Sequence, residues 1–159
     1  MERIINVKNL SELSEHFVND KRKKVMVGGC FDIIHFGHIR FLQAAKKLGD
    51  VLIIALESDG NVKRLKGPKR PFHDQEQRAS ILAELRSVDF VLKLPTMSEH
   101  SQYQEMIENI SADIIATTEG DVHWDKKKEQ AEKIGAKFEI ISKIQTYSTS
   151  SIAKLLGLD

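Results

Sequence analysis

Sulfur is scarce in this chain: of its 159 residues one is a cysteine, Cys30. A lone thiol excludes an intrachain disulfide and suits a reducing compartment. Charge of one sign is missing as well. Lysine and arginine number 24 against 23 aspartates and glutamates, a formal net charge of +1. No general field therefore draws the protein to nucleic acid or to a membrane surface, and affinity for anions has to come from local clusters. Long apolar runs are absent too: Val51–Leu56 is a run of six, against the roughly 20 residues that a bilayer-spanning helix needs. Met1 to Asn19 is charged and lacks the apolar core of a secretory signal, so the cytosol is the expected location. Neither G-x-G-x-x-G nor G-x-x-x-x-G-K-[ST] occurs, which argues against a dehydrogenase and a P-loop kinase. His16, His73, His100 and His123 are scattered with no cysteine or carboxylate at ligand spacing, so no zinc site is expected. No internal repeat or low-complexity linker divides the chain. With 41% hydrophobic and 30% charged residues, ordinary globular composition, a single domain over residues 1–159 is expected.

What is present is an alternation of helical and extended patterns. Leu13 and Phe17, four apart behind Ser11 as N-cap, predict a short amphipathic helix over Ser11–Val18. Lys21–Lys24 then reads as a solvated connector, making residues 1–24 a helical extension. Val25-Met26-Val27 stops at Gly28-Gly29, the pattern of a buried strand ending in a sharp turn. Ile39–Leu48 predicts a helix with Gly49 at its C-cap, and Val51–Leu56 a strand buried on both faces of a parallel sheet. Glu57 to Pro71 reads as a charged loop. A helix is expected from His73-Asp74 to Leu85 with Ile81, Leu82 and Leu85 inward. Strands are expected at Phe90–Lys93, Ile114–Ala116 and Phe138–Ile141, and helices over Ser101–Ile110, Lys126–Ile134 and Ser148–Leu156. Five short strands alternating with helices imply an α/β fold, a doubly wound five-stranded parallel sheet with helices on both faces.

Two stretches carry chemistry. His35 and His38 stand three apart with Gly37 between them at the mouth of a helix. On a helix their imidazoles face one way, beside free N–H groups that favour an anion. Lys63, Arg64, Lys66, Lys69 and Arg70 crowd eight positions after the second strand. Such charges repel unless an anion sits among them, and this loop follows the carboxyl end of a strand, where open α/β sheets bind ligands. Solvated surface charge is the alternative.

Gly-Cys-Phe-Asp-Ile-Ile-His-Phe-Gly-His over 29–38 resembles the opening of the cytidylyltransferase-like nucleotidyltransferases, a Rossmann-like superfamily. The match continues through Phe41–Asp50, Ser58-Asp59, Val62–Gly67, Arg70-Pro71 and Glu76–Ala79, and is most similar to the adenylyltransferases acting on D-glycero-D-manno-heptose 1-phosphate. The resemblance implies transfer of a nucleoside monophosphate from ATP, or CTP, to a phosphorylated small-molecule acceptor, without a covalent enzyme intermediate. His35, His38, Lys63, Lys66 and Arg78 are then the catalytic candidates: the histidines on the α- and β-phosphates, the lysines on the α-phosphate and leaving group, Arg78 on the β,γ end. Nucleotide binding is expected from Gly29, Cys30, Phe31, Gly37, Glu119, Gly120, Asp121, Ser148, Thr149 and Ser150, and acceptor binding from Asp32, Ser58, Asp59 and Arg70. Asp32 could equally cap its turn, the serines could simply cap the last helix, and Cys30 could serve packing alone. Mg²⁺ is expected with the triphosphate, held by phosphate oxygens and water, and relatives of this kind commonly pair as homodimers.

Two loops depart from the heptose-phosphate pattern. Thr117–Trp124 replaces Lys-Gly-Gly-Asp-Tyr, and Glu57-Ser58-Asp59 replaces Asn-Ser-Asp. Trp124 could stack on a base or pack. CTP:glycerol-3-phosphate cytidylyl transfer, FMN adenylyl transfer and a non-catalytic nucleotide-sensing module are the competing readings.

Overall fold

The computed structural model describes residues 3–158. Six strands form one sheet: β1 (Ile4–Asn6), β2 (Lys24–Gly29), β3 (Val51–Leu56), β4 (Phe90–Lys93), β5 (Ile114–Thr118) and β6 (Lys137–Ile141), in the order β1-β4-β3-β2-β5-β6. Every pairing is parallel. The helices are α1 (Leu13–Phe17), α2 (Phe36–Lys46), α3 (Asp59–Lys66), α4 (Gln75–Ala83), α5 (His100–Ile110), α6 (Trp124–Lys133) and α7 (Thr149–Leu155).

The run Val51–Leu56 shows how the sheet takes helices on both faces. Val51, Ile53 and Ala55 pack with residues of α1 and α5, and with Ala131 of α6, on one side. Leu52, Ile54 and Leu56 pack with Leu42 and Ala45 of α2 and Ala79 and Leu82 of α4 on the other. A strand with apolar residues at every position can satisfy both layers because successive side chains point to opposite faces.

The sheet has six strands rather than five. The additional strand, β1, is three residues long and adds to the edge at β4, pairing Ile4 with Val91 and Asn6 with Lys93. Three residues give no visible period, so the sequence pattern could not separate them from a loop. The expected helical extension is therefore part strand, and it is packed: Phe17 meets Phe90 edge-on with ring centroids 5.6 Å apart. Asn9, rather than Ser11, caps the turn that precedes α1. Lys24, assigned to a connector, opens β2 instead; it is buried and its Nζ donates to the Asp20 carbonyl at 3.0 Å.

Three further expectations change. Gly49 does not cap α2, which closes at Lys47; a β-carbon there would lie 2.7 Å from the Lys23 carbonyl oxygen, so the glycine serves a close approach of two chain segments. The charged loop after β3 folds into α3, capped by Ser58, whose hydroxyl accepts from the Asn61 N–H. Ile81 faces solvent; Arg78, Ala79, Leu82 and Ala83 are the buried residues of α4. Among the described residues no helix is long and apolar enough to cross a membrane.

From β2 the chain moves to β3 on one side and later to β5 on the other. The carboxyl ends of β2 and β5 therefore flank the point where the strand order reverses, the usual place for a ligand crevice in an open α/β sheet.

Candidate functional site

β2 ends at Gly29, and the chain turns sharply enough to put Phe31 at φ 44°, the left-handed region, with its ring buried. That conformation is costly for a residue with a side chain and is held here by packing. The ring lies 5.3 Å from the His38 ring. α2 then starts at Phe36, three residues earlier than its apolar period indicated, because His35 is its N-cap.

The two imidazoles are stacked, centroids 3.8 Å apart and planes at 30°. Nδ1 of His35 accepts from the Gly37 N–H at 3.1 Å, and Nδ1 of His38 accepts from the His35 N–H at 3.4 Å. A neutral ring that accepts at Nδ1 carries its proton on Nε2. Burial, followed by the neighbouring His35 charge, lowers the pKa of His38 to about 4, with the Ile33 carbonyl opposing. Burial and the Lys143 charge lower that of His35. Both rings are consequently neutral near pH 7, each with its proton on Nε2. Gly37 makes the stack possible: a β-carbon there would come within 2.8 Å of His35 Cε1 and 3.0 Å of Thr146 Cγ2.

Thr149 is buried and its hydroxyl donates to the Ile33 carbonyl at 2.8 Å, which sets the start of α7 against the histidine loop. Ser148 caps α7 by accepting from the Ser151 N–H at 3.2 Å, and Ser150 is exposed. The helix cap and the tie to the histidine loop thus fall to different hydroxyls of one run.

The cationic candidates divide into two kinds. Lys63 and Lys66 are exposed on α3, and the Lys66 charge is felt at the Cys30 thiol. Arg78, expected to reach a terminal phosphate, is wholly buried. Its guanidinium donates to the carbonyls of His73 at 3.1 Å, Cys30 at 2.5 Å and Glu57 at 2.8 Å, and to Asp59 Oδ1 at 2.7 Å. Those bonds tie the turns after β2 and β3 to the start of α4. Asp59 is thereby an ion-pair partner of Arg78, and Ser58 is a cap that also meets Thr96 Oγ1 at 3.0 Å. Asp32 and Arg70 form a buried ion pair, and Asp32 Oδ1 accepts from the N–H groups of Phe72 at 2.8 Å and His73 at 3.3 Å. The Arg70 guanidinium also lies over the Phe72 ring, 4.6 Å from its centroid. Burial and the Glu57 charge raise the Cys30 pKa, so the thiol stays protonated and is no nucleophile.

Beyond β5, Gly120 takes φ 81° at the open turn. Burial opposes ionisation of Asp121, but hydrogen bonds from Lys127 and Thr117 and from the His123 N–H bring its pKa down to about 2. Glu119 Oε2 accepts from the Lys143 N–H at 3.2 Å. Trp124 opens α6 and lines a groove of about 570 Å³ with Lys128, Glu132, Ala136, Phe138 and Ile140. Phe138 and Ile140 of that groove belong to β6.

The pattern described as cytidylyltransferase-like matches residues 26–154. The chain belongs to the cytidylyltransferase-like family. It is a nucleotidyltransferase-type domain. A protein from Campylobacter jejuni serotype O:6 named bifunctional protein HldE is 41% identical over 146 residues, covering 92% of this chain and 30% of that one. The namesake from Trichlorobacter lovleyi is 37% identical over 154 residues, again 92% and 30%. The chain thus spans about 30% of the length of these relatives. Among solved structures, a lipopolysaccharide core biosynthesis protein from Thermoplasma volcanium superposes with a TM-score of 0.62 at 26% identity, covering 80% of this chain and 99% of that one. Pantoate-β-alanine ligase from Francisella tularensis, at 15% identity and TM-score 0.65 over 90% of this chain and 68% of that one, shares the fold alone.

Within this cytidylyltransferase-like domain, His35, Gly37, His38 and Thr149 are brought together at the carboxyl edge of the sheet, and Lys143 joins them from the segment after β6. Lys143 was not visible as a site residue in the sequence. Its signal was only that it follows a strand's carboxyl end by two residues, the same positional rule that singled out the loop after β3.

Proposed function

We propose that this chain transfers AMP from ATP to the phosphate of D-glycero-β-D-manno-heptose 1-phosphate, giving ADP-heptose and pyrophosphate. The observation that carries the reading is the stacked, neutral His35–His38 pair at the mouth of α2, both Nδ1 atoms engaged by backbone N–H groups. An acceptor phosphate oxygen attacks the α-phosphorus in line, the bond from that phosphorus to the bridging oxygen breaks, and pyrophosphate leaves with the electron pair. Little covalent work falls to the protein, so rate comes from positioning and from offsetting the charge that grows on the phosphoryl oxygens. His35 and His38 donate to those oxygens. Lys63, Lys66 and Lys143 supply positive charge. Arg78 acts at one remove, by fixing the turns that carry these groups.

Mg²⁺ would travel with the triphosphate and neutralise part of its charge. Among the described residues no group of three or more His, Cys, Asp or Glu side chains gathers as a metal cage, and Asp32, Asp59 and Asp121 each have a cationic partner. An ion carried by a triphosphate is usually held by phosphate oxygens and water. The protein is further proposed to act as a homodimer, which sedimentation velocity tests.

Heptose phosphate as acceptor and ATP as donor rest on the resemblance over residues 29–79 and on the HldE-named relatives. The altered loop Thr117–Trp124 departs from the heptose-phosphate pattern and keeps a second acceptor in view, glycerol 3-phosphate with CTP as donor. A pyrophosphate-release screen crossing four triphosphates with heptose, glycerol, ribitol and flavin phosphates decides between them. Release with ATP and heptose 1-phosphate alone is the expected result; release with no pair would overturn nucleotidyl transfer altogether.

A further inference from the structure

We infer that the Tyr103 hydroxyl is a positioning group for the phosphate site: through Glu57 and Asn61 it fixes α3, and with that helix its lysines. The inference rests on the nucleotidyl-transfer reading above. α3 has eight residues, and its buried side chains are Val62 and the polar Asn61. A helix this short is unstable alone in water, and one apolar contact cannot set its orientation. Polar ties do so. Asn61 Nδ2 donates to Glu57 Oε2 at 2.7 Å and to the Tyr103 oxygen at 3.1 Å. The Tyr103 hydroxyl donates to the Glu57 carboxylate, its oxygen 3.0 and 3.2 Å from the two carboxylate oxygens. Arg64 donates to Asn61 Oδ1 at 3.3 Å and to the Met97 carbonyl at 3.1 Å.

Tyr103 belongs to α5, whose Met106, Ile107 and Ile110 are core residues. Its hydroxyl therefore links a short polar helix to a packed one. Burial and the Glu57 charge raise its pKa, so the phenol remains a donor throughout the physiological range. Arg78 bonds both the Cys30 carbonyl at 2.5 Å and Asp59, the first residue of α3, at 2.7 Å, which sets the start of that helix beside the turn that leads into the histidine pair. A lysine works as a point charge whose effect falls with distance, so slack in α3 weakens it.

The test uses the full chain as Tyr103→Phe, Lys66→Ala and the double variant. Tyr103→Phe should speed hydrogen exchange at the α3 amides about tenfold while those of α2 and β3 keep wild-type rates. It should lower kcat about tenfold with the KM for ATP within twofold. Lys66→Ala should cost less in the Tyr103→Phe background than in the wild type, because a displaced charge has less to lose. Unchanged α3 exchange, or costs that simply multiply, overturns the positioning role. Should the wild type release pyrophosphate with no substrate pair, the transfer reading fails separately. The Tyr103–Lys66 coupling is then read on the calorimetric Kd for Mg·ATP, where independent effects would equally sink it.

Discussion

Gly37 and His35 are interlocked: the Gly37 N–H bonds to Nδ1 of His35 at 3.1 Å, while a β-carbon on Gly37 would lie 2.8 Å from Cε1 of the same ring. The residue that fixes the tautomer of His35 is thus the one position beside it that cannot carry a side chain. Gly37→Ala should turn the ring off its stack and lower kcat about 100-fold, since misplacing a catalytic group by about 1 Å costs rate on that scale. Circular dichroism should remain native. A variant with wild-type kcat would show that ring placement is not what the glycine protects.

His38→Ala removes a donor directed at charge that develops during displacement. Loss of one such donor typically lowers kcat by about 10² to 10³-fold. The dissociation constant for ATP should change little, because the missing bond strengthens only as the α-phosphorus becomes crowded. Single-turnover kinetics with a binding isotherm separates the two. A variant that turns over normally but binds ATP poorly would assign His38 to ground-state binding instead.

Stability should fall as the solution is acidified through the interval between the ordinary histidine value of 6.5 and the His38 value of about 4. In that interval the unfolded chain binds a proton at this site that the folded chain refuses, so each drop in pH favours unfolding. His38→Gln should flatten that part of the curve. Asp121 contributes in a separate window, from 3.8 down to about 2, where protonating its carboxylate loses the Lys127 pair. Urea midpoints measured across pH 7 to 4 check the first window. An unchanged slope in the variant would place the acid sensitivity elsewhere.

The sheet and the histidine pair were legible because both are local in the chain. A six-residue apolar strand declares two-sided burial, and His35, Gly37 and His38 fall within one turn of each other. The burial of Arg78 was hidden for the opposite reason. An arginine beginning a helix near a phosphate site looks alike in sequence whether it faces a ligand or the backbone. What decides is the set of carbonyls around it, contributed by Cys30, Glu57 and His73 from three separate segments. Tyr103 escaped notice likewise: it is 46 residues from Glu57, and no pattern on α5 distinguishes a tyrosine bonded to a carboxylate from one that packs. The helix hidden in the charged loop was masked by its polarity, since α3 is held by caps and side-chain bonds rather than by an apolar stripe.

Arg78→Lys separates a structural from a ligand-binding role at a wholly buried cation. A lysine keeps the charge but replaces a planar fork of donors with a single ammonium, which cannot reach the carbonyls of Cys30, Glu57 and His73 together. Each buried acceptor left without a partner costs about 1–3 kcal/mol, so a loss of about 3 kcal/mol in unfolding free energy is expected, with the urea m-value unchanged. The turns after β2 and β3 should loosen together, raising hydrogen exchange at the Glu57 N–H, which bonds to the Gly29 carbonyl at 3.1 Å. Were the guanidinium instead a phosphate ligand, the substitution would weaken ATP binding and leave the urea midpoint where it was. The two outcomes lie on different measurements, and a destabilised protein that still binds ATP at low temperature identifies Arg78 as the bolt between the turns.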